Sequence, residues 1–235
     1  MRYEDTLRSA VKRYWLTRNK QALAQGKGGH KDYGNRSAVT GGKQADGFAE
    51  WIQSIIDDCN VSGIEVSISK NITIPGFYRP SKDWDIVIYG PRHEIIGIIE
   101  IKTQSGSFGN NFNNRVEEAL GSATDALAAY REGLFAPGTK PWMGYFLMVE
   151  ECSDSLKEQR YKELPFFHLD DVFQKQSYIG RYSIFCERIV RDRLYDTACF
   201  ITSEKGSDSY HEPLEEMSVQ NFVRKLRAQI LSFDA

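Results

Sequence analysis

The chain has 235 residues, of which 41% are hydrophobic and 26% are charged, and its formal net charge is −2. This composition is typical of a globular protein and excludes a disordered or collagen-like chain. The wholly apolar runs are a few residues long, whereas a membrane-spanning helix needs roughly 20, and acidic residues stand near the amino terminus where a signal peptide would be apolar. We therefore expect one domain over residues 1–235, located in the cytoplasm and without a membrane partner.

Positive charge is concentrated near the amino terminus. Residues 1–43 contain ten Lys or Arg and three acidic residues, whereas the rest of the chain contains 20 and 29. A basic arm on an acidic body is typical of a protein that attracts a polyanion such as nucleic acid. A solvated helix face followed by a loop would give the same counts.

The first third of the chain predicts two helices with a loop between them. Hydrophobic periodicity favours a helix over 4–24, inside an amino-terminal helical region of residues 1–25. Residues 26–46 then form a basic, glycine-rich loop. A second helix is expected over 47–58 with Asp46 as its N-cap, and its apolar face comprises Phe48, Trp51, Ile52, Ile55 and Ile56.

Strands and helices alternate in the rest of the chain. Strands are predicted at 64–69, 71–74, 84–89 and 94–102, and the last two form an antiparallel hairpin because their connection is short. A polar loop over 105–114 precedes a helix over 115–132, which ends at Gly133. The apolar run Trp142–Val149 predicts a central strand covered on both faces. A helix near 178–195, a strand near 198–202 and a helix near 218–232 follow.

These elements predict an α/β fold, in which a central mixed β-sheet is flanked by helices. Residues 47–150 are expected to form its core, and residues 151–235 to add helices and a strand.

Charged residues interrupt the apolar strands of the hairpin. Because strand side chains alternate in direction, Glu100 and Lys102 project from one face, and Ile99 and Ile101 from the other. Neighbouring strands lie about 4.8 Å apart, so Asp85 comes close to Glu100 if the register sets them opposite each other. Two such carboxylates repel unless a cation neutralises them, and Mg²⁺ prefers oxygen ligands of this kind.

The catalytic candidates are therefore Asp85, Glu100 and Lys102, with the Ile101 carbonyl as a further metal ligand. Lys102 would orient the nucleophile or stabilise developing charge. Asp46 or Glu50 could add another ligand, although an N-cap for Asp46 and a solvated helix face for Glu50 are the favoured explanations. An ion pair at a sheet edge is the alternative for the whole cluster.

The spacing Asp–x14–Glu–x–Lys is similar to the PD-(D/E)XK nuclease signature, with Trp84 in place of the proline. The sequence around it is more specific, because it reads TIPGFYRPSKDWD up to Asp85 and GSFGNNFNNRVEEA after the catalytic strand. On these strings the chain resembles the XhoI-type type II restriction endonucleases over most of its length.

The resemblance implies a restriction-endonuclease-like fold and a Mg²⁺-dependent endonuclease that cuts duplex DNA at a short palindrome. For this family the implied site is CTCGAG, cut to leave 5′ overhangs and 5′-phosphates, and the functional partner is a cognate DNA methyltransferase. The family's catalytic residues fall on Asp85, Glu100 and Lys102. A homodimer is the natural reader of a palindrome, because both have two-fold symmetry.

The candidate DNA contacts lie on both sides of the catalytic strand. Arg79 and Lys82 are expected to hold phosphates, which position the duplex without specifying its sequence; solvent exposure alone is the alternative. Asn pairs with adenine and Arg with guanine in the major groove, so the candidate base readers are Asn110, Asn111, Asn113, Asn114 and Arg115. An Asn-rich turn with Asn114 as a helix N-cap is the alternative for this segment.

Two other functions fit the same residues. A PD-(D/E)XK nuclease of the DNA-repair type would select DNA structure rather than sequence, and a non-catalytic DNA-binding module would bind without cutting.

Overall fold

The computed structural model describes residues 2–27, 42–68, 73–135, 138–161 and 164–234. The helices in these ranges are α1 (Arg2–Lys27), α2 (Gly42–Asp57), α3 (Phe108–Arg131), α4 (Ser153–Leu156), α5 (Tyr178–Arg191) and α6 (Val219–Leu231). The strands are β1 (Glu65–Ile68), β2 (Thr73–Pro75), β3 (Ser81–Asp83), β4 (Ile86–Tyr89), β5 (Ile95–Gln104), β6 (Trp142–Glu151) and β7 (Thr197–Glu204). None of the helices described here is long and apolar enough to cross a membrane.

Five strands form a mixed sheet in the order β1-β4-β5-β6-β7. The pairs β1/β4 and β4/β5 are antiparallel, whereas β5/β6 and β6/β7 are parallel. β2 and β3 form a separate antiparallel pair. The expected α/β fold with a central mixed sheet, and the expected hairpin within it, are confirmed.

Each face of the sheet carries its own hydrophobic core. One core joins α1, α2 and α6 to the sheet, and the five apolar residues predicted on one face of α2 are all buried there. The other core joins α3 and α5 to the opposite face. The alternation predicted for β5 is present, since Ile99 and Ile101 enter the first core and Ile98 enters the second. Glu100 and Lys102 therefore lie on the α3/α5 side.

The second helix begins earlier than predicted, so the role given to Asp46 was wrong. α2 begins at Gly42, which makes Asp46 a residue inside the helix rather than its N-cap, and residues 42–46 helical rather than loop. Glycines suggested a loop here, but the helix is anchored by Phe48 and Trp51, which pack on Phe146. Residues 28–41 of the predicted basic loop lie outside the described part of the chain.

The polar segment 105–114 is also more helical than predicted. α3 begins at Phe108, after Ser107 in a left-handed conformation with φ 47°, so Asn114 is not an N-cap. Phe108 stacks on Tyr178, and Phe112, one turn later, contacts Tyr182. This packing against α5 outweighs the turn preference of the asparagines. The predicted end is confirmed, because Gly133 adopts φ 77° just beyond the helix.

Strand β3 was not predicted. It has three polar residues, Ser81 to Asp83, and pairs with β2. A strand this short and polar has no hydrophobic period to reveal it. Its importance is positional, because it carries Lys82 towards β5.

Adding a methyl group at two different glycines should change the free energy of unfolding in opposite directions. Gly121 is an exposed position in α3, and an added Cβ meets nothing within 4 Å. Gly121→Ala should therefore raise the free energy of unfolding by about 0.5–1 kcal/mol. At Gly144 in β6 the new Cβ would lie 2.7 Å from Cζ3 of Trp142. Gly144→Ala should therefore lower the free energy of unfolding by about 1–3 kcal/mol. Urea unfolding of both variants tests the pair.

Candidate active site

The β4/β5 hairpin brings Asp85 and Glu100 together. The register pairs Ile86 with Ile99, and one further step sets Asp85 opposite Glu100. Asp85 is partly buried just before β4, and its Oδ2 accepts a hydrogen bond of 2.7 Å from the Ile101 backbone N–H. This bond fixes the carboxylate against β5 and leaves Oδ1 for another ligand.

Glu100 is a buried carboxylate with two amines beside the same oxygen. Its exposed fraction is 2%. Oε1 lies 2.7 Å from Nζ of Lys102 and 3.7 Å from Nζ of Lys82. Lys82 also lies over the ring of Trp84, with Nζ 3.8 Å from the ring centroid. A buried carboxylate needs such partners, because an unpaired buried charge is strongly unfavourable.

The electrostatics differ between the two carboxylates. Burial raises the pKa of Glu100, but Lys102, Lys82 and the hydrogen bonds to the carboxylate outweigh it, so the net pKa is below the usual value. Burial also raises the pKa of Asp85, and Lys102 and the Ile101 N–H only partly oppose this. A negative charge on Asp85 is therefore less favourable than on a solvent-exposed aspartate, and a cation beside it would favour that charge.

The two lysines also respond differently to this environment. Burial lowers the pKa of Lys102, but the neighbouring Glu100 and Asp85 outweigh it and the net pKa is raised. For Lys82 burial outweighs the attraction of Glu100, and its pKa is lowered. Lys102 is thus the amine that the carboxylates hold firmly in its charged form.

The oxygen donors at this point suit a divalent cation. The N–H and C=O of one strand residue point to the same edge, so the Ile101 carbonyl faces the Asp85 side, beyond the end of β4. Two carboxylates and one carbonyl are hard oxygen ligands, and Mg²⁺ commonly binds through one or two carboxylates while keeping several waters. Within the described ranges, no group of three or more His, Cys, Asp or Glu side chains comes together that could hold a metal ion. A site here therefore needs the backbone carbonyl and water as further ligands.

The β2/β3 pair is tied to α3 through Asp125. This buried carboxylate accepts hydrogen bonds from the backbone N–H groups of Phe77 and Tyr78, at 2.9 and 2.8 Å. Its Oδ2 lies 2.9 Å from Nε of Arg79. The predicted phosphate contacts are therefore engaged within the protein, Arg79 by Asp125 and Lys82 by Glu100, although the Arg79 side chain remains 44% exposed.

The asparagines lie on the first two turns of α3 rather than in a loop. Asn110, Asn113 and Asn114 are exposed and share one helix face by their i, i+3, i+4 spacing. Asn111 and Arg115 are half-buried on the neighbouring face.

Arg115 is held by the protein itself. Its Nη1 lies 2.6 Å from Oε2 of Glu118, and its buried Nε has no hydrogen-bond partner among the described residues. Its charge acts on Lys102 and slightly opposes the rise in pKa that Glu100 and Asp85 cause there.

The acids of α2 do not join this cluster. Glu50 is exposed and forms an ion pair of 2.5 Å with Arg13 of α1. Asp46 lies on the same helix, which packs on the face of the sheet opposite to Glu100 and Lys102.

Tyr195 is a residue of the site that sequence reasoning missed. It is fully buried between α5 and β7, and its hydroxyl donates to Oε2 of Glu100 at 3.0 Å. Burial beside Glu100 raises its pKa, so the hydroxyl keeps its proton. No local pattern connects two residues that are 95 positions apart.

Comparisons with known proteins agree on one family. Residues 24–212 match the family model described as restriction endonuclease XhoI. The type II restriction enzyme BstVI of Geobacillus stearothermophilus is 38% identical over 221 residues, which cover 90% of this chain and 95% of the relative. The type II restriction enzyme XhoI of Xanthomonas vasicola is 35% identical over 196 residues, covering 80% of this chain and 75% of the relative. No solved structure matches the chain.

Proposed function

This chain belongs to the restriction endonuclease XhoI family, and we propose that it hydrolyses double-stranded DNA at the cluster of Asp85, Glu100 and Lys102. Type II restriction enzymes are site-specific deoxyribonucleases that in general use divalent metal ions. The observation that supports this location is the pair of carboxylates at the end of the β4/β5 hairpin, with Lys102 only 2.7 Å from Glu100.

We propose that Asp85 Oδ1, Glu100 Oε1 and the Ile101 carbonyl hold Mg²⁺. When bound there, the ion supplies charge neutralisation at the scissile phosphate and activation of a water molecule. Asp85 is held ready by its bond from the Ile101 N–H. Lys102 and Lys82 must yield part of their contact with Oε1, because each occupies the region that the ion would enter.

Lys102 serves as a positive donor in this proposal. In the metal-free protein Glu100 and Asp85 raise its pKa and so favour the protonated amine, which cannot accept a proton from water. A protonated amine can instead donate to the phosphate or orient the attacking water, and such a contact strengthens as negative charge develops.

We extend the proposal to the finer properties that the resemblance implies. The recognition site would be the palindrome CTCGAG, cut to leave 5′ overhangs and 5′-phosphates, and a cognate DNA methyltransferase would protect the host. A homodimer would place one copy of the cluster at each strand, since the symmetry of the site matches that of the protein.

Base reading is assigned to the exposed face of α3 formed by Asn110, Asn113 and Asn114. Three amides on one helix face can enter the major groove, where Asn pairs bidentately with adenine. Asn111 and Arg115 are secondary candidates because they are half-buried. Arg79 and Lys82 would contact phosphates after partial release from their carboxylates.

The Asn113→Ala variant should lose specific DNA affinity by about 1–3 kcal/mol, or about 5- to 150-fold, if one bidentate contact disappears. Nonspecific affinity should change little, because the amide carries no charge. Gly121→Ala is the matched control, since it changes an exposed residue about two turns farther along α3. Equal losses on specific and random duplexes would remove this face from base reading.

Incubation of a plasmid with the protein and Mg²⁺ tests the function. The proposal predicts discrete fragments whose ends map to one short sequence, and no cleavage when the metal ion is chelated. A structure-selective nuclease would instead cut branched DNA and leave intact duplex uncut. A binding module would shift the DNA in a gel without cutting it in Mg²⁺ or Mn²⁺.

A further inference from the structure

The two oxygens of Glu100 face different partners. Oε1 faces the amines of Lys102 and Lys82, at 2.7 and 3.7 Å. Oε2 accepts the hydroxyl of Tyr195 at 3.0 Å, on the buried side of the carboxylate. Oε1 is therefore the oxygen on the side of the two amines, whose charges also act on Asp85.

Tyr195 itself contacts two further groups. Its hydroxyl lies 3.3 Å from the backbone carbonyl of Ala119 in α3 as well as 3.0 Å from Glu100. Its ring centroid lies 5.1 Å from that of Tyr145 on β6. Tyr195, which lies in the connection between α5 and β7, thus orients the Glu100 side chain on β5.

We propose that Tyr195 is a positioning residue that makes Glu100 a ligand through Oε1 alone. This inference rests on the proposed nuclease function. The terminal torsion of glutamate is broad and roughly two-fold, so without the hydroxyl the carboxylate could turn or offer both oxygens. Mg²⁺ demands near-octahedral geometry, and loss of a hydrogen bond that orients a metal ligand typically weakens metal binding by about 10- to 100-fold.

The chain offers a matched control in Tyr145. It pairs with Glu100 in the β5/β6 register and is fully buried. Its hydroxyl has no hydrogen-bond partner among the described residues. Tyr145→Phe therefore removes the same atom from the same aromatic cluster without removing a bond to Glu100, whereas Tyr195→Phe removes that bond.

The experiment measures Ca²⁺ binding by calorimetry on protein mixed with a plasmid-derived duplex, together with the Mg²⁺ dependence of cleavage. Tyr195→Phe should bind Ca²⁺ about 10- to 100-fold more weakly, and its half-saturating Mg²⁺ concentration should rise similarly. Saturating Mg²⁺ should restore much of the cleavage rate. Tyr145→Phe should match the wild-type protein in all three measurements.

Reversible unfolding would also raise the half-saturating Mg²⁺ concentration, so both variants are compared at a temperature at which circular dichroism shows them to be fully folded. If the wild-type protein cleaves DNA but Tyr195→Phe and Tyr145→Phe bind the metal ion with equal affinity, the role of Tyr195 is overturned and the proposed function is not. A wild-type protein that neither binds Ca²⁺ nor cuts DNA would overturn the proposed function, and this inference with it.

Discussion

Replacing Glu100 with glutamine is expected to lower the DNA cleavage rate by about 10³-fold or more. A metal ligand supports several kcal/mol of charge stabilisation, and each 1.36 kcal/mol corresponds to about tenfold in rate. Glutamine keeps the size of the side chain and can still accept from Tyr195, but it carries no charge to hold the cation. Cleavage of a plasmid under single-turnover conditions in Mg²⁺ measures the effect.

DNA affinity separates this loss from a loss of binding. In the presence of a chelator, Glu100→Gln should bind duplex DNA at least as tightly as the wild-type protein, because a negative charge near the phosphates has been removed. Glu204→Gln is the control for the chemical change, since this glutamate is exposed at the end of β7. Cleavage by Glu100→Gln within tenfold of the wild-type rate would contradict the assignment.

Replacing Lys102 with methionine is expected to lower both cleavage and the stability of the metal-free protein. Removing one partner of a buried ion pair commonly costs about 3–5 kcal/mol. Here Lys82 and Tyr195 remain near Glu100, so we expect a loss of about 1–3 kcal/mol in the free energy of unfolding. Urea unfolding with a chelator measures it, and excess Ca²⁺ should reduce the difference by replacing the missing positive charge.

A second variant tests the cause of this instability. Lys102→Met combined with Glu100→Gln should be more stable than Lys102→Met alone, because the buried charge that has lost its nearest partner is gone. Lys205→Met, an exposed lysine after β7, should change stability little. An unchanged stability in Lys102→Met, or a double variant less stable than it, would show that the amine does not balance Glu100.

The local geometry of the site could be predicted from the sequence because it lies within one hairpin. Strand alternation sets Glu100 and Lys102 on one side, and a short connection sets Asp85 near them, so no distant contact had to be known. The register and the 2.7 Å contact between Glu100 and Lys102 agree with that prediction. The roles of these residues remain proposals.

Features that depend on packing could not be predicted in this way. Helix α3 extends back to Phe108 because its aromatic residues contact α5, which local turn preferences do not reveal. The contact of Tyr195 with Glu100 requires the parallel order β5-β6-β7 and the path of the chain after α5. The ion pair that occupies Glu50 depends likewise on how α1 packs on α2.

A crystal structure of the protein with Ca²⁺, which slows hydrolysis, and an intact duplex that contains its cleavage site tests the central claim most directly. The proposal predicts a cation at about 2.3–2.6 Å from oxygens of Asp85 and Glu100, in contact with a backbone phosphate, and Lys102 beside that phosphate. A duplex bound on another face of the sheet, with no cation between these two carboxylates, would contradict it.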